Sequence, residues 1–408
     1  MGVWSLVLHQ PMPSWIDDDL NDRRRRGLFR TRRRLLSAQG ARVRVRGREL
    51  VNFSSNDYLS LAADPRLARA ANRAARRYGC GAGASPLISG LLPPLRALEK
   101  DLARWEETEA ALVFPSGFAA NLALVSTLAG RADAVFSDEL NHASLIDGCR
   151  LSRARVHIYR HRNAGHLAEL LRREGKHARR RLIVSDTVFS MDGDLAPLPD
   201  LYDLTRQHDA LLLLDEAHAT GVLGKHGRGV AELFPPPSDL EDAVIRAGTL
   251  SKALGAQGGF VCSSRRLITW LVNSARPYIF STALAPPTAA AARMAVRIVQ
   301  QEPERRQHVL DLSGQLGERL ADLGLIASRP VCPIVPVLVG DAREAVRLSA
   351  RLQERGLLVP AVRPPSVPEG TARLRISLTA GHTADDITRL ADELARCGLR
   401  RISPRRMM

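Results

Sequence analysis

The sequence predicts an α/β fold with a large, mostly parallel-sheet domain and a smaller α+β C-terminal domain. Three observations lead there. Between about residues 56 and 290, short apolar runs alternate with amphipathic stretches of helical spacing. Those runs (ALVF, AVFS, RVHIY, RLIVSDTVF, ALLLLDEA and AVIRAGTL) are near-continuously apolar, the pattern of strands buried on both faces. From about residue 291 the pattern changes. A long helix, AAARMAVRIVQQ, leads to strands near IVPVLVG and RLRISLTAG, with helices at EAVRLSARLQERG and ADDITRLADELARC.

In chain order, residues 1–55 form an arginine-rich N-terminal arm. It holds one helix, then short strand patterns in ARVRVRG and RELVNF. Residues 56–290 are the large domain, in which LRALEKDLARW and NLALVSTLA are helices between strands. Residues 291–408 are the C-terminal domain. PPP at 235–237 and RPPSVPEG at 363–370 are connecting loops. There is no internal repeat.

Composition narrows the class. With 45% hydrophobic and 25% charged residues in 408, the chain has ample material for a core. No run approaches the roughly 18 apolar residues of a membrane span. The opening MGVWSLVLHQ lacks a preceding basic segment and is followed by Asp17, Asp18 and Asp19, which argues against a secretory leader. Cys80, Cys149, Cys262, Cys332 and Cys397 are scattered, without disulfide or zinc spacing. They read as reduced thiols of a cytoplasmic protein.

The net charge of +16 raises nucleic acid as a partner. However, only four of the 59 basic residues are lysines, and the arginine surplus accompanies alanine-rich helices. Codon-usage bias explains that better than a binding patch. Aromatics are only 4%, too sparse for base-stacking platforms. The expectation is no nucleic acid and no membrane.

The four lysines separate clearly. Lys100 sits on an amphipathic helix, Lys176 in a basic loop and Lys225 in a glycine loop. Lys252 follows the strand AVIRAGTL and precedes ALGAQGG, so small residues flank its amine. A lysine at a strand end in such a crevice can form a Schiff base when its environment favours the neutral amine.

In LLLLDEAHATG, Asp215 ends a buried strand and His218 follows on the departing turn. A buried carboxylate needs a cationic partner, and the pyridinium nitrogen of pyridoxal phosphate (PLP) is one. His218 then reaches the ring hydroxyl. The competing reading, a DEAH-type nucleotide triphosphatase, needs a phosphate loop ending in Gly-Lys-Ser/Thr. Neither GKH at 224 nor EGKH at 174 supplies it.

VFPSGFAANLAL ends an apolar run in Pro115-Ser116-Gly117 and opens a helix, whose first amides suit a phosphate. Thr249 can add a hydroxyl. His142, in DELNHASLIDG, is either a capping residue or an imidazole stacked on a cofactor ring. Ser190 and Asp192 follow a strand in VSDTVFSMDGD, where Ser190 is either a loop serine or a hydrogen-bond partner of cofactor or substrate.

With these residues in place, the chain resembles the α-oxoamine synthases, fold-type I PLP enzymes. The resemblance runs from about residue 30 to 395 through NFSSNDYLSLA, GAGASPLISG, FPSGFAANLA, NHASLIDG, VFSMDGDLAPL, DEAHATGVLG, GTLSKALGAQGG, YIFSTALAPP and RPPSVPEGTARLRISLTAGHT. That family couples an amino acid to an acyl thioester with loss of carbon dioxide. The resemblance implies that Lys252 holds PLP covalently, Asp215 pairs with the pyridine nitrogen, and His218 meets the ring oxygen. It implies that His142 stacks on the ring and that Gly117 and Phe118 amides bind the phosphate with Thr249. Ser190 lies beside the cofactor hydroxyl. Arg375 takes the substrate carboxylate, where a planar fork suits bidentate pairing. Ser366 contacts substrate, as does Arg32 by count back from Gln39-Gly40.

The resemblance also implies a homodimer whose active sites lie between subunits, with Ser281 and Thr282 reaching the partner's phosphate. Within the family, SSNDYL and RPPSVPEGTARLRISLTAGHT look most like the branch of biotin synthesis. Its substrates are L-alanine and a pimeloyl thioester, carried on coenzyme A or acyl carrier protein. The branches making 5-aminolevulinate or 2-amino-3-ketobutyrate are the alternatives. One departure stands out: where the family usually has an aromatic and a histidine, this chain reads LLPPLRALE, with Leu91 and Leu95.

Overall fold

The computed structural model describes residues 14–399. The opening segment MGVWSLVLHQ, read above as no leader, lies outside the described residues. Among those described, no helix is long and apolar enough to cross a membrane.

The chain adopts the expected α/β architecture. After the helix Ser14–Arg25 come β1 (Arg42–Val45) and β2 (Arg48–Asn52), an antiparallel hairpin. Seven strands then build the central sheet: β3 (Ala110–Phe114), β4 (Ala134–Asp138), β5 (Arg155–Tyr159), β6 (Arg181–Asp186), β7 (Leu211–Asp215), β8 (Val244–Thr249) and β9 (Gly259–Ser263). Their order is β3-β9-β8-β7-β6-β4-β5. Only β9 runs against the rest.

The apolar runs became buried strands because helices cover both faces, except RVHIY, which is the edge strand β5 and leaves Val156 and Ile158 exposed. Successive residues point to opposite sides. Leu182, Val184 and Leu213 join one core cluster with the helix Gly117–Leu128. Ile183, Leu212 and Leu214 join the larger cluster on the other face.

A second, smaller sheet is antiparallel, in the order β10 (Ile334–Gly340), β13 (Ala372–Ser377), β12 (Ala361–Val362). The helices Glu304–Asp322, Ala342–Glu354 and Ala384–Ala395 accompany it. The last begins with a reciprocal capping box between Thr383 and Asp386. The two-residue strand β11 (Leu357–Leu358) pairs in parallel with β2, so the N-terminal hairpin is stitched to the C-terminal part of the chain. Backbone bonds from Ser377 to Phe53 and from Ala380 to Tyr58 extend that seam. This brings the segment after β2 to the carboxyl ends of the central strands, where open α/β sheets form their ligand crevice.

Candidate active site

Four polar residues finish four neighbouring strands: Asp138 on β4, Asp186 on β6, Asp215 on β7 and Thr249 on β8. Asp186 and Asp215 are register partners. Asp215 is 4% exposed. One of its oxygens accepts from the Asn121 amide at 2.5 Å and the other from the Ala217 N–H at 2.8 Å. Asn121 lies just over one turn into the helix Gly117–Leu128 and also donates to Ser144 Oγ at 2.9 Å.

Burial and the adjacent Asp215 push the Asp186 carboxyl well above the usual carboxylate range. Asp186 accepts the His142 backbone N–H at 2.7 Å. His142 caps the helix Ala143–Ser152, and its Nδ1 lies 2.7 Å from Ser144 Oγ. Desolvation lowers its pKa, and the ring meets Phe118 edge-on, with centroids 6.5 Å apart.

Lys252 sits in the turn after β8, fixed by the Gly255 N–H on its carbonyl at 2.9 Å. Its amine makes no hydrogen bond among the described residues. Burial drags its pKa down to about 8, although Asp215 and Asp186 resist the fall. That is the setting a Schiff-base lysine needs.

His218 is buried, and burial together with Lys252 and Arg375 holds its pKa well below the ordinary range. The ring is therefore neutral. Its Nδ1 lies 2.7 Å from the Tyr58 hydroxyl, which accepts from Arg375 Nη2 at 3.4 Å. A hydroxyl that accepts from arginine has its proton free to donate. Its two acceptors are His218 Nδ1 at 2.7 Å and Asn56 Oδ1 at 3.3 Å, and the shorter contact favours Nδ1, which makes His218 the Nε2–H tautomer with Nε2 as a donor.

Arg375, 5% exposed, donates to the Ser190 carbonyl, to Asn56 Oδ1 at 3.2 Å and to Ser377 Oγ at 2.6 Å. All its acceptors are neutral, so among the described residues its charge has no carboxylate partner. Arg373, two residues earlier, is instead ion-paired with Asp192.

The loop before the helix Gly117–Leu128 packs against the turn around Thr249. A methyl group added to Gly117 would meet Thr249 Oγ1 at 3.2 Å, and one added to Gly259 would lie 2.5 Å from Gly117 Cα. Only glycines allow this approach. The first amides of that helix and the Thr249 hydroxyl thus converge on one small cradle. Ser116 already caps the helix through Ala119 N–H at 3.1 Å.

The structure gathers most of the residues singled out from the sequence. Lys252, Asp215, His218, His142, Thr249, Gly117 and Phe118 lie together at the carboxyl ends of β6, β7 and β8, and Arg375, whose charge reaches Lys252 and His218, is bonded to the Ser190 carbonyl. Ser366 is exposed and lines a neighbouring cavity of about 840 Å³, with Asn141, Phe189, Met191, Arg23 and Arg26. Arg32 is exposed and does not line it. Ser281 and Thr282 follow exposed Phe280.

Sequence reasoning missed Asn121, Asp186, Tyr58 and Asn56. Two of these left a signal. Asn121 is a polar residue on an otherwise apolar helix, and Asp186 ends RLIVSD as Asp215 ends LLLLD. The DEAH reading fails on geometry as well. Glu216 is spent inside the protein, accepting from the Thr187 hydroxyl at 2.6 Å and the Val230 and Ala231 amides at 3.0 and 2.8 Å.

These residues fit PLP: an unpartnered amine, a buried acid for the pyridine nitrogen, a donor for the ring oxygen and a phosphate cradle. The unpartnered Asn121 Oδ1 also faces this buried network. The comparisons agree. The family model for aminotransferase class I and II matches residues 48–394. An 8-amino-7-oxononanoate synthase of Anaeromyxobacter dehalogenans (strain 2CP-1) is 50% identical over 374 residues, 91% of this chain and 92% of that protein. The chain belongs to the 8-amino-7-oxononanoate synthases. It is a PLP-dependent acyltransferase of the aminotransferase class I and II fold. Among solved structures, a serine palmitoyltransferase from S. paucimobilis with a bound PLP–myriocin aldimine superposes with a TM-score of 0.88 at 29% identity. That match covers 94% of this chain and 96% of the other. The Francisella tularensis 8-amino-7-oxononanoate synthase gives 0.74 at 29%, covering 85% and 97%. The fold is shared across the wider group, while sequence identity separates the branches.

Proposed function

We propose that this protein condenses L-alanine with a pimeloyl thioester, on coenzyme A or acyl carrier protein, as a cytoplasmic homodimer. The products are 8-amino-7-oxononanoate, carbon dioxide and the free thiol. The observation that carries the reading is the unpaired Lys252 amine above the Asp186–Asp215 floor, with uncompensated Arg375 close by.

PLP, when bound, supplies the electron sink that lets bonds at the alanine α-carbon break. The chain's residues do the rest. Asp215, backed by Asn121, balances the charge of the pyridinium nitrogen. His218 Nε2–H donates to the ring oxygen, and His142 covers the ring face. The amides of Gly117 and Phe118, with Thr249, hold the phosphate. Ser190 sits beside the cofactor hydroxyl. Arg375 anchors the alanine carboxylate in a fixed orientation. Lys252, poised near neutrality, removes the α-proton and returns one after carbon dioxide leaves.

The 840 Å³ cavity suits the acyl partner. Phe189, Met191 and Val367 supply an apolar wall and Ser366 a hydroxyl, while the lining arginines Arg23, Arg26 and Arg373 are paired with Asp19, Glu369 and Asp192. Arg32 remains the proposed N-terminal substrate contact.

The dimer reading rests on exposed apolar surface. Ile88 is 81% and Phe280 70% exposed, and both flank a seam where the Ala283 N–H bonds the Ala84 carbonyl at 3.0 Å. Leu87, Leu91 and Phe118 are exposed too. Such a face beside the proposed active site supports a subunit interface, with Ser281 and Thr282 toward a partner.

Steady-state kinetics test the reading, with alanine, glycine and serine against pimeloyl, succinyl, acetyl and palmitoyl thioesters. The pair alanine–pimeloyl should have the highest kcat/KM. Preference for glycine or serine would reassign the substrate.

A further inference from the structure

His161 lies in the loop after β5, away from the cofactor crevice, and no role assigned above uses it. Its two ring nitrogens face two carboxylates. Nδ1 is 3.0 Å from Asp138 Oδ1, at the end of β4, and Nε2 is 2.9 Å from Asp194 Oδ2. A ring that donates to carboxylates from both nitrogens is an imidazolium. The ring stands edge-on to Phe189, with centroids 4.3 Å apart.

Asp194 closes a tight loop. Val188 bridges Leu195, the Phe189 N–H donates to the Asp194 carbonyl at 3.0 Å, and the Gly193 N–H donates to the Phe189 carbonyl at 2.8 Å. The tip carries Ser190, whose carbonyl takes Arg375, and Asp192, which takes Arg373. Phe189 and Met191 line the 840 Å³ cavity. Asp138 directly precedes Glu139, Leu140 and Asn141, which line the same cavity from the end of β4.

We infer that the His161 imidazolium is a positioning residue, clamping the 188–195 loop to the end of β4 and thereby fixing the width of the acyl cavity. The cavity's role rests on the proposed reaction; the clamp does not.

The remaining charged and titratable neighbours are few. Arg162 pairs with Asp194 at 3.0 Å, and Glu139 accepts the His161 N–H at 2.7 Å. Tyr159, on β5, faces Asp138, and the Cys332 thiol donates to the Gly193 carbonyl at 3.2 Å from the C-terminal side. Burial pushes the Cys332 thiol up to about 12 and raises Tyr159 well above the ordinary range, so neither titrates near neutrality. Burial alone would lower His161, but its bonds to Asp138 and Asp194 outweigh it and raise the pKa to about 9. The clamp is thus fully present below the ordinary 6.5 and is lost as pH rises through about 9.

The test uses wild type, His161→Asn and, as a second variant that preserves side-chain shape, Asp194→Asn. Chymotrypsin cleavage within 188–195 is followed at pH 7.5 and 9.5, each rate taken as a ratio of variant to wild type to cancel the protease's own pH response. Both variants should be cut faster at pH 7.5, and the ratio should shrink at pH 9.5 as the wild-type clamp releases. The acyl-thioester KM should rise about tenfold, the worth of roughly one charge-assisted hydrogen bond. The alanine KM should hold, because Asn56, Ser377 and Tyr58 still anchor Arg375. Equal cleavage of wild type and both variants at both pH values would overturn the clamp; faster cleavage of the variants with an unchanged acyl KM, in an enzyme that turns over, would overturn its control of the acyl cavity. Faster cleavage of the variants, with no turnover of pimeloyl thioester by wild type, would uphold the clamp and sink the proposed reaction.

Discussion

The Tyr58 hydroxyl meets His218 Nδ1 at 2.7 Å, joining the segment after β2 to the turn after β7. Both side chains are buried, and the same hydroxyl accepts from Arg375. One phenol therefore fixes the tautomer of the histidine proposed to face the ring and braces the arginine proposed to face the substrate. Tyr58→Phe leaves His218 Nδ1 without its donor. Denaturant unfolding should show a loss of about 1–3 kcal/mol, the cost of an unsatisfied buried acceptor. Turnover should fall as His218 loses its fixed tautomer. Unchanged stability together with unchanged kcat would contradict the network.

Lys252→Ala removes the only lysine in the crevice. Lys100, Lys176 and Lys225 lie elsewhere in the sequence and cannot substitute. The variant should fold, bind PLP without the visible band of the lysine-linked cofactor, and show no steady-state turnover. Retained turnover would remove Lys252 from the chemistry.

Much of this site was legible in the sequence, and the reason is geometric. Residues at the carboxyl ends of parallel strands converge, so LLLLD followed by His218 and AVIRAGTL followed by Lys252 could be placed in one crevice before any coordinates. Asp186 went unnoticed because its motif was read for Ser190, although it ends β6 as Asp215 ends β7. Tyr58 and Asn56 were seen as motif letters only. Their role depends on a seam between the N-terminal hairpin and β13, a pairing across more than three hundred residues that local periodicity does not encode. His161 was invisible for the same reason, since its two partners come from the end of β4 and from the 188–195 loop.

Asp215→Asn keeps the shape of the side chain and its contact with the Ala217 N–H, but removes the charge. The pyridinium nitrogen then loses its counter-ion. We expect kcat to fall by at least about 10²-fold, the scale of losing one preorganised electrostatic partner. PLP affinity should fall less, because the phosphate cradle is untouched. A near-normal rate would dismiss Asp215 from that role.

Gly117→Ala places a methyl group 3.2 Å from Thr249 Oγ1, tighter than ordinary contact, where the phosphate is proposed to sit. PLP binding should weaken while the visible band of the loaded fraction keeps its position. Gly259→Ala is the harsher change. Its methyl would lie 2.5 Å from Gly117 Cα, so backbone must move and the melting temperature should drop. Equal PLP affinity in Gly117→Ala and wild type would move the phosphate site elsewhere.

The pKa of Lys252 gives the last test. Burial lowers it to about 8, so in the apoprotein the amine becomes a neutral nucleophile as pH rises through that value. The rate at which apoprotein captures PLP should climb between pH 6.5 and 9 with a midpoint near 8, well below the ordinary 10.5 of lysine. Asp186 and Asp215 both oppose the fall by favouring the ammonium form. Asp215→Asn removes the larger of the two, so the midpoint should move below that of wild type, whereas a side chain that merely packed against the strand ends would leave it unmoved. Stopped-flow absorbance on apoprotein reads both midpoints. A wild-type midpoint near 10, or none at all, would show that the crevice does not desolvate this amine.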